Sequence, residues 1–326
     1  MRLYKKAAAC LLTAAMAISM LTACGGGGGN GGNGGGNTPS PLPNNPDQIV
    51  LPAPGEGGGE GGGEGSGETK PTKTPIDANR SKLAQFKEKY AGTTEFYVEA
   101  QMVEYDEDGS AEDSTVGCFA AKGNNVYMKV TLSGKNQKQQ LIEELMLKEF
   151  DYNNSYLLLR GSKVAVRTSS YKSQSDDNIS LGTLITEKLP SQMWSTTVKV
   201  GPTEYYAEVY NAYSSEYTTC FTADGKPVYQ FVRELNEKQL DRATLYKTIQ
   251  AGSGTSKGLC TMPAGLKKYS VDFRTNTLTD ANGNVFTIEL QTNSEGDVTS
   301  VKVFDKDKKD VSDDFKWVYD FCKMYD

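Results

Sequence analysis

The sequence predicts an α+β protein, mostly antiparallel β. The expected architecture is a curved sheet or incomplete barrel with an N-terminal helix and a helical lid, followed by a small C-terminal hairpin-helix appendage. Three observations carry this. Apolar and polar residues alternate over many short runs, as in residues 94–105 and 204–212, the period of strands with one face buried. Turn clusters such as Asp106-Glu107-Asp108-Gly109 and Ala223-Asp224-Gly225-Lys226 separate those runs at hairpin spacing. A helical period is confined to a few segments, the clearest in residues 76–91, where Leu83, Phe86 and Tyr90 share one face and Gly92 follows the end.

The first 23 residues stand apart. Arg2, Lys5 and Lys6 precede an apolar run over 7–20, the layout of an export signal. That run is shorter than the roughly 20 residues a membrane-spanning helix needs. It ends in Leu21-Thr22-Ala23-Cys24, which resembles a bacterial lipobox. The resemblance implies cleavage between Ala23 and Cys24 and a diacylglycerol on the Cys24 sulfur, with further acyl chains such as palmitate holding the chain on the membrane. The expected location is the extracytoplasmic face of a bacterial cell membrane.

Residues 24–75 read as the lipidated cysteine and a tether. Glycine with asparagine fills 25–36, proline recurs over 39–54, and 55–67 alternates glycine with Glu56, Glu60 and Glu64. Such composition offers too little apolar surface to offset chain entropy, so deletion of 25–70 is expected to leave folding untouched. The glycine runs are not a phosphate-binding loop, because no strand precedes them and no Lys-Ser/Thr follows.

The folded part is expected in two pieces, a β domain over 76–269 and the appendage over 270–326. After the helix, strands are expected over 94–105, 115–121, 125–132, 156–159 and 163–169. Residues 141–150 fit either a helix or a strand, and we assign a strand. Residues 180–193 read as a helical excursion broken at Pro190. Strands over 204–212, 216–222, 227–234 and 242–250 complete the domain. In the appendage, a hairpin of 285–291 and 298–304 precedes a helix capped by Ser312, with Phe315, Val318, Tyr319 and Cys322 on one face.

Chemistry is bounded mainly by exclusion. The chain has no histidine, which removes His-based triads, His-ligated zinc and a His general base. Adjacent acids such as Glu143-Glu144, Asp176-Asp177 and Asp313-Asp314 read as solvated turns or helix starts. Asp280-Ala281-Asn282-Gly283-Asn284 has the alternating oxygens of a calcium loop but lacks its glycine and closing glutamate; a tight hairpin explains it, and Asp305-Lys306-Asp307 likewise. No catalytic residue, metal ligand or cofactor is assigned. A net charge of −6 argues against nucleic acid as a partner. Cys118, Cys220, Cys260 and Cys322 remain beyond the signal and lipobox, and both two disulfides and buried free thiols fit them.

The element order adds one resemblance. The N-terminal helix, a long antiparallel run, a helical interruption, a second run with Tyr217-x-x-x-Phe221-x-x-x-Gly225-Lys226-Pro227, and Met262-Pro263-Ala264-Gly265-Leu266-Lys267-Lys268 together resemble the lipoprotein-carrier superfamily of LolA-like and LppX-like proteins. It covers about residues 78–269. It implies an incomplete barrel around helices, with an apolar cavity for acyl chains. On that reading Met102, Met128 and Leu158, with Trp194 from the helical excursion, would line the cavity. The carriers' arginine pocket has no motif to place it among Arg160, Arg167, Arg233 and Arg242. The expected function is a membrane-anchored surface lipoprotein binding a lipid or other apolar ligand. The other expectation is a surface module contacting cell wall or another protein without a small ligand.

Overall fold

The computed structural model describes residues 42–43, 48–54, 71–134, 137–172, 179–185, 189–212, 214–294 and 296–325. Ala23 and Cys24 lie outside these residues.

Two short strands, β1 (Ile49–Val50) and β2 (Thr74–Ile76), precede helix α1 (Lys82–Tyr90). A meander of six strands follows: β3 (Glu95–Tyr105), β4 (Ala111–Lys122), β5 (Asn125–Gly134), β6 (Gln137–Glu149), β7 (Tyr152–Leu159) and β8 (Val164–Lys172). Residues 141–149 are thus strand, as assigned from the sequence. After the short helix α2 (Leu181–Ile185) comes a five-strand meander: β9 (Met193–Val200), β10 (Thr203–Ala212), β11 (Ser215–Phe221), β12 (Pro227–Glu234) and β13 (Arg242–Ala251). The C-terminal part holds β14 (Lys267–Asp272), β15 (Thr277–Asp280), β16 (Val285–Thr292), β17 (Val298–Phe304) and helix α3 (Trp317–Tyr325).

The two meanders join into one open sheet because β13 pairs antiparallel with β3, for example Leu245 with Gln101. At the other side, β14 lies parallel to β8, Lys267 opposite Val164, and carries β15, β16 and β17 beyond it. The ladder therefore runs from β17 through β8, β3 and β13 to β9. Both β1 and β2 lie on the outer edge of β9, Ile49 opposite Val200 and Ile76 opposite Met193. Among the described residues no ladder joins β17 to that edge.

Both faces of the sheet are covered, which is why few strands show a clean polar side. On one face α1 contributes Leu83 and Phe86 to a large apolar cluster with Phe96, Phe119, Met128, Leu157, Leu181 and Tyr210; this is the helix face. The same cluster takes in Phe315, Trp317, Val318 and Phe321. The C-terminal segment is therefore continuous with the sheet and core of the preceding residues. On the opposite face, Tyr97, Tyr127, Leu145, Leu158 and Cys260 form one cluster, and Val103, Val198, Tyr229, Phe231 and Leu245 another.

Three expectations are corrected. The stretch before residue 76 is not free of buried surface: Leu42 and Ile49 are buried with Val198 and Tyr229, and the Pro52 carbonyl accepts from Arg233 at 2.8 Å. The Ile49-Val50-Leu51 triplet is apolar enough to pair with the β9 edge and shield it, as an exposed strand edge requires. Among the described residues of the excursion over 180–193, Leu181–Ile185 are helical, and Met193 already opens β9. Ser312 does not cap α3; its hydroxyl accepts from the Val303 N–H at 2.9 Å and donates to Asp310 at 2.6 Å.

Candidate ligand-binding face

The helix face is organised by one buried carboxylate. Glu208 on β10 is fully buried, and its two oxygens accept the Lys82 N–H at 2.6 Å and the Leu83 N–H at 2.9 Å. These are orphan donors of the first turn of α1, where negative charge is favoured by the helix dipole. Ser81 caps the same turn by accepting from the Ala84 N–H at 3.0 Å, and the Tyr206 hydroxyl donates to Glu208 at 3.0 Å. The start of α1 is thus pinned to the sheet by charge-assisted bonds.

The other end of α1 meets α2. A Cβ on Gly182 would stand 2.5 Å from the Lys87 carbonyl oxygen and 2.9 Å from the Ala91 nitrogen, so only glycine allows this approach. The Leu181 N–H donates to the Thr93 carbonyl at 3.0 Å, fixing α2 to the turn beyond α1.

Register places a polar row in this face. Glu208 lies opposite Thr219, Thr219 opposite Gln230, Gln230 opposite Thr244, Thr244 opposite Met102, and Met102 opposite Thr115. Alternation assigns the row to the helix face, since Tyr229, Phe231, Ala243 and Leu245 belong to the opposite one. Thr219 is 0% exposed and Gln230 9%. Among the described residues neither Thr219 Oγ1 nor Gln230 Nε2 has a hydrogen-bond partner. A buried polar group left unpaired costs about 1–3 kcal/mol.

The four residues proposed to line a cavity divide between the faces. Met128 lies in the helix-face cluster, and Met102 shares that face through the polar row. Leu158 packs on the opposite face with Tyr97 and Cys260. Trp194 lies on β9 instead of a helix, paired with Val209 and Pro75. It alternates with Met193, which joins the helix-face cluster, so Trp194 turns to the opposite face. The residues that sequence reasoning missed are Glu208, Thr219 and Gln230. Their signal was polar letters inside strands otherwise filled with apolar and aromatic ones.

Three ionic groups tie segments to the opposite face. Glu216 and Arg233, both nearly inaccessible, pair directly, and Lys73 reaches Glu216 at 2.5 Å. Burial is the main influence on the Lys73 ammonium and holds its pKa below the ordinary 10.5, against the raising effect of Glu216. Glu143 accepts from Arg160 at 3.0 Å and from the Tyr127 hydroxyl at 2.7 Å. Burial would raise its pKa, but those bonds outweigh it and the carboxyl titrates below its ordinary value. Glu149 is held likewise, burial being outweighed by Lys268 at 2.9 Å, Tyr156 at 2.7 Å and Asn154 at 2.8 Å. These bonds fasten the start of β14 beside β7 and β8. Of the four arginines weighed for a carrier-like pocket, Arg160 and Arg233 are committed to these pairs, Arg167 is exposed, and Arg242 lies half-buried in register with Val232 and Glu104.

No disulfide joins Cys118, Cys220, Cys260 and Cys322. Burial pushes the Cys260 thiol up to about 11 and the fully buried Cys220 thiol higher, so neither is a ready nucleophile. Asp280 spends its oxygens on the Asn282 and Asn284 N–H groups, each at 2.9 Å, and on the Asn284 amide at 2.8 Å, the hydrogen bonding of a tight turn. Among the described residues no His/Cys/Asp/Glu group is arranged to hold a metal ion, and no helix is long and apolar enough to cross a membrane.

No family model matches the chain, and no curated protein does. Among solved structures, the dehydratase domain from the CurK module of curacin polyketide synthase is similar at a TM-score of 0.13 and 8% identity, over 59% of this chain and 86% of that one. An inactive mutant of the same dehydratase gives a TM-score of 0.12 at the same identity and coverage. Likeness this slight carries neither fold nor activity to the chain.

Proposed function

We propose that this chain is a lipoprotein, anchored through Cys24 at the extracytoplasmic face of a bacterial cell membrane, whose body takes a lipid or other apolar ligand between a curved sheet and its helices. One observation supports this most. The helix face is an apolar surface crossed by one polar row, and it is covered by short helices, α1 of nine residues and α2 of five, instead of by a second sheet. Those helices are held to the sheet through Glu208 and to each other at the Gly182 contact, and in this reading they form the helical lid over the ligand. The reading assigns no catalysis and no cofactor.

A second reading, a surface module without a small ligand, is favoured by one observation: Leu83 and Leu181 are fully buried and Met128 is 7% exposed, so the chain's own side chains fill the helix face. Met128→Trp separates the two. If a ligand occupies this space, the larger side chain blocks an apolar dye with little loss of stability. In a face packed for structure alone it costs about 1–3 kcal/mol through overpacking and leaves dye binding unchanged, which would refute the first reading.

A further inference from the structure

Resting on the ligand-binding reading above, we propose that Thr219 and Gln230 form a polar subsite within the helix face that receives the ester carbonyl of an acylated glycerol-type lipid. The polar row offers five side chains from Glu208 to Thr115, and Glu208 at its end is satisfied by the first turn of α1. The next two positions are not: Thr219 Oγ1 and Gln230 Nε2, opposite each other on β11 and β12, are buried without a partner among the described residues. Buried polar groups keep their place when something hydrogen-bonds them, and an amide N–H beside a hydroxyl asks for an acceptor. The flanks of the pair fix the rest of the guest. Beside Thr219 along the strands, Tyr210 and Tyr217 stack at 5.2 Å on one side and Tyr206 and Phe221 stand 6.4 Å apart on the other, while Val228 and Val232 stand two residues either side of Gln230 on β12. A carbonyl set between apolar walls is the chemistry of an acyl ester, polar at one point and hydrocarbon on either side. A free fatty acid fits less well, because its carboxylate would lie one strand from the Glu208 carboxylate.

The test uses a chain of residues 25–326, which keeps every described residue, and two probes that differ only in the carbonyls: dioctanoylglycerol and its dioctyl ether. Affinities are read by displacement of an apolar fluorescent dye. The wild-type chain should prefer the ester by about tenfold, the worth of a hydrogen bond otherwise left unmade. Thr219→Val with Gln230→Leu should bind both probes equally, at the affinity the wild type has for the ether, with no fall in melting temperature. If that double variant does not fold, Gln230→Met alone should reduce the preference. Equal binding of ester and ether by the wild type overturns the subsite while leaving the apolar reading in place. Binding of neither probe overturns both.

Discussion

Replacing Glu208 by glutamine should unseat the start of α1. The change keeps one acceptor oxygen but turns an amide donor toward one of the two buried N–H groups, which lie 2.6 and 2.9 Å from the carboxylate. Hydrogen bonds to a charged group contribute about 1.5–3 kcal/mol each, and the favourable helix-end charge adds about 0.3–1 kcal/mol. Relief of carboxylate burial offsets part of this, leaving an expected loss of about 2–3 kcal/mol. For a domain of this size that is a fall in melting temperature of roughly 4–12 °C. Circular dichroism melts at neutral pH measure it. Ser81→Ala, which removes only the cap to the Ala84 N–H, should cost about 1 kcal/mol and serves as the internal scale. A Glu208→Gln variant that melts with the wild type, while Ser81→Ala does not, would refute Glu208 as the anchor.

Removal of residues 25–54 should lower the melting temperature, because Leu42, Ile49 and the Pro52 carbonyl go with it, whereas removal of 25–41 should not; equal melts would return the whole stretch to the tether. Gly182→Ala should force α2 away from the Lys87 carbonyl, and a melt unchanged from wild type would contradict the close approach. Glu143 and Glu149 both have lowered folded-state pKa values, so their stabilisation is present above the ordinary 4.5 and is lost as pH falls through the lower folded value. Glu143→Gln should therefore be less stable than wild type at neutral pH and show a flatter fall in stability on acidification; parallel curves would contradict it. Calcium or EDTA should leave the melting temperature unchanged, and a calcium-dependent rise would overturn the turn assignment of Asp280.

The sequence revealed period more readily than side. Leu83 and Phe86 mark the buried stripe of α1 because a helix against one sheet has a single apolar flank. The strand over 141–149 was legible from its neighbours, although its apolar letters fit a helix as well. Faces were harder. In β12 every residue from Pro227 to Arg233 is buried, so alternation between two apolar sides leaves little contrast, and Gln230 is distinguished only once its register with Thr219 is known. Leu158 and Trp194 were grouped with Met102 and Met128 although the sheet separates them, because each has an apolar neighbour on the other side. Ile49 was hidden by composition, three apolar residues within a proline-rich stretch, and its partner β9 lies about 150 residues away in sequence. Contacts of that separation leave no local pattern. The hairpin of β16 and β17 and the helix after it were legible in the sequence, but β14 and β15 before them were not, and the attachment of β14 to β8 is parallel and leaves no hairpin turn to find.

Native mass spectrometry of the chain of residues 25–326, purified from a bacterial host without detergent, tests the central claim most directly. The account predicts adducts of lipid mass that are released by organic solvent and weakened by Met128→Trp. A clean apo mass, from a chain that also fails to take up dioctanoylglycerol, would contradict it and leave the surface module without a small ligand.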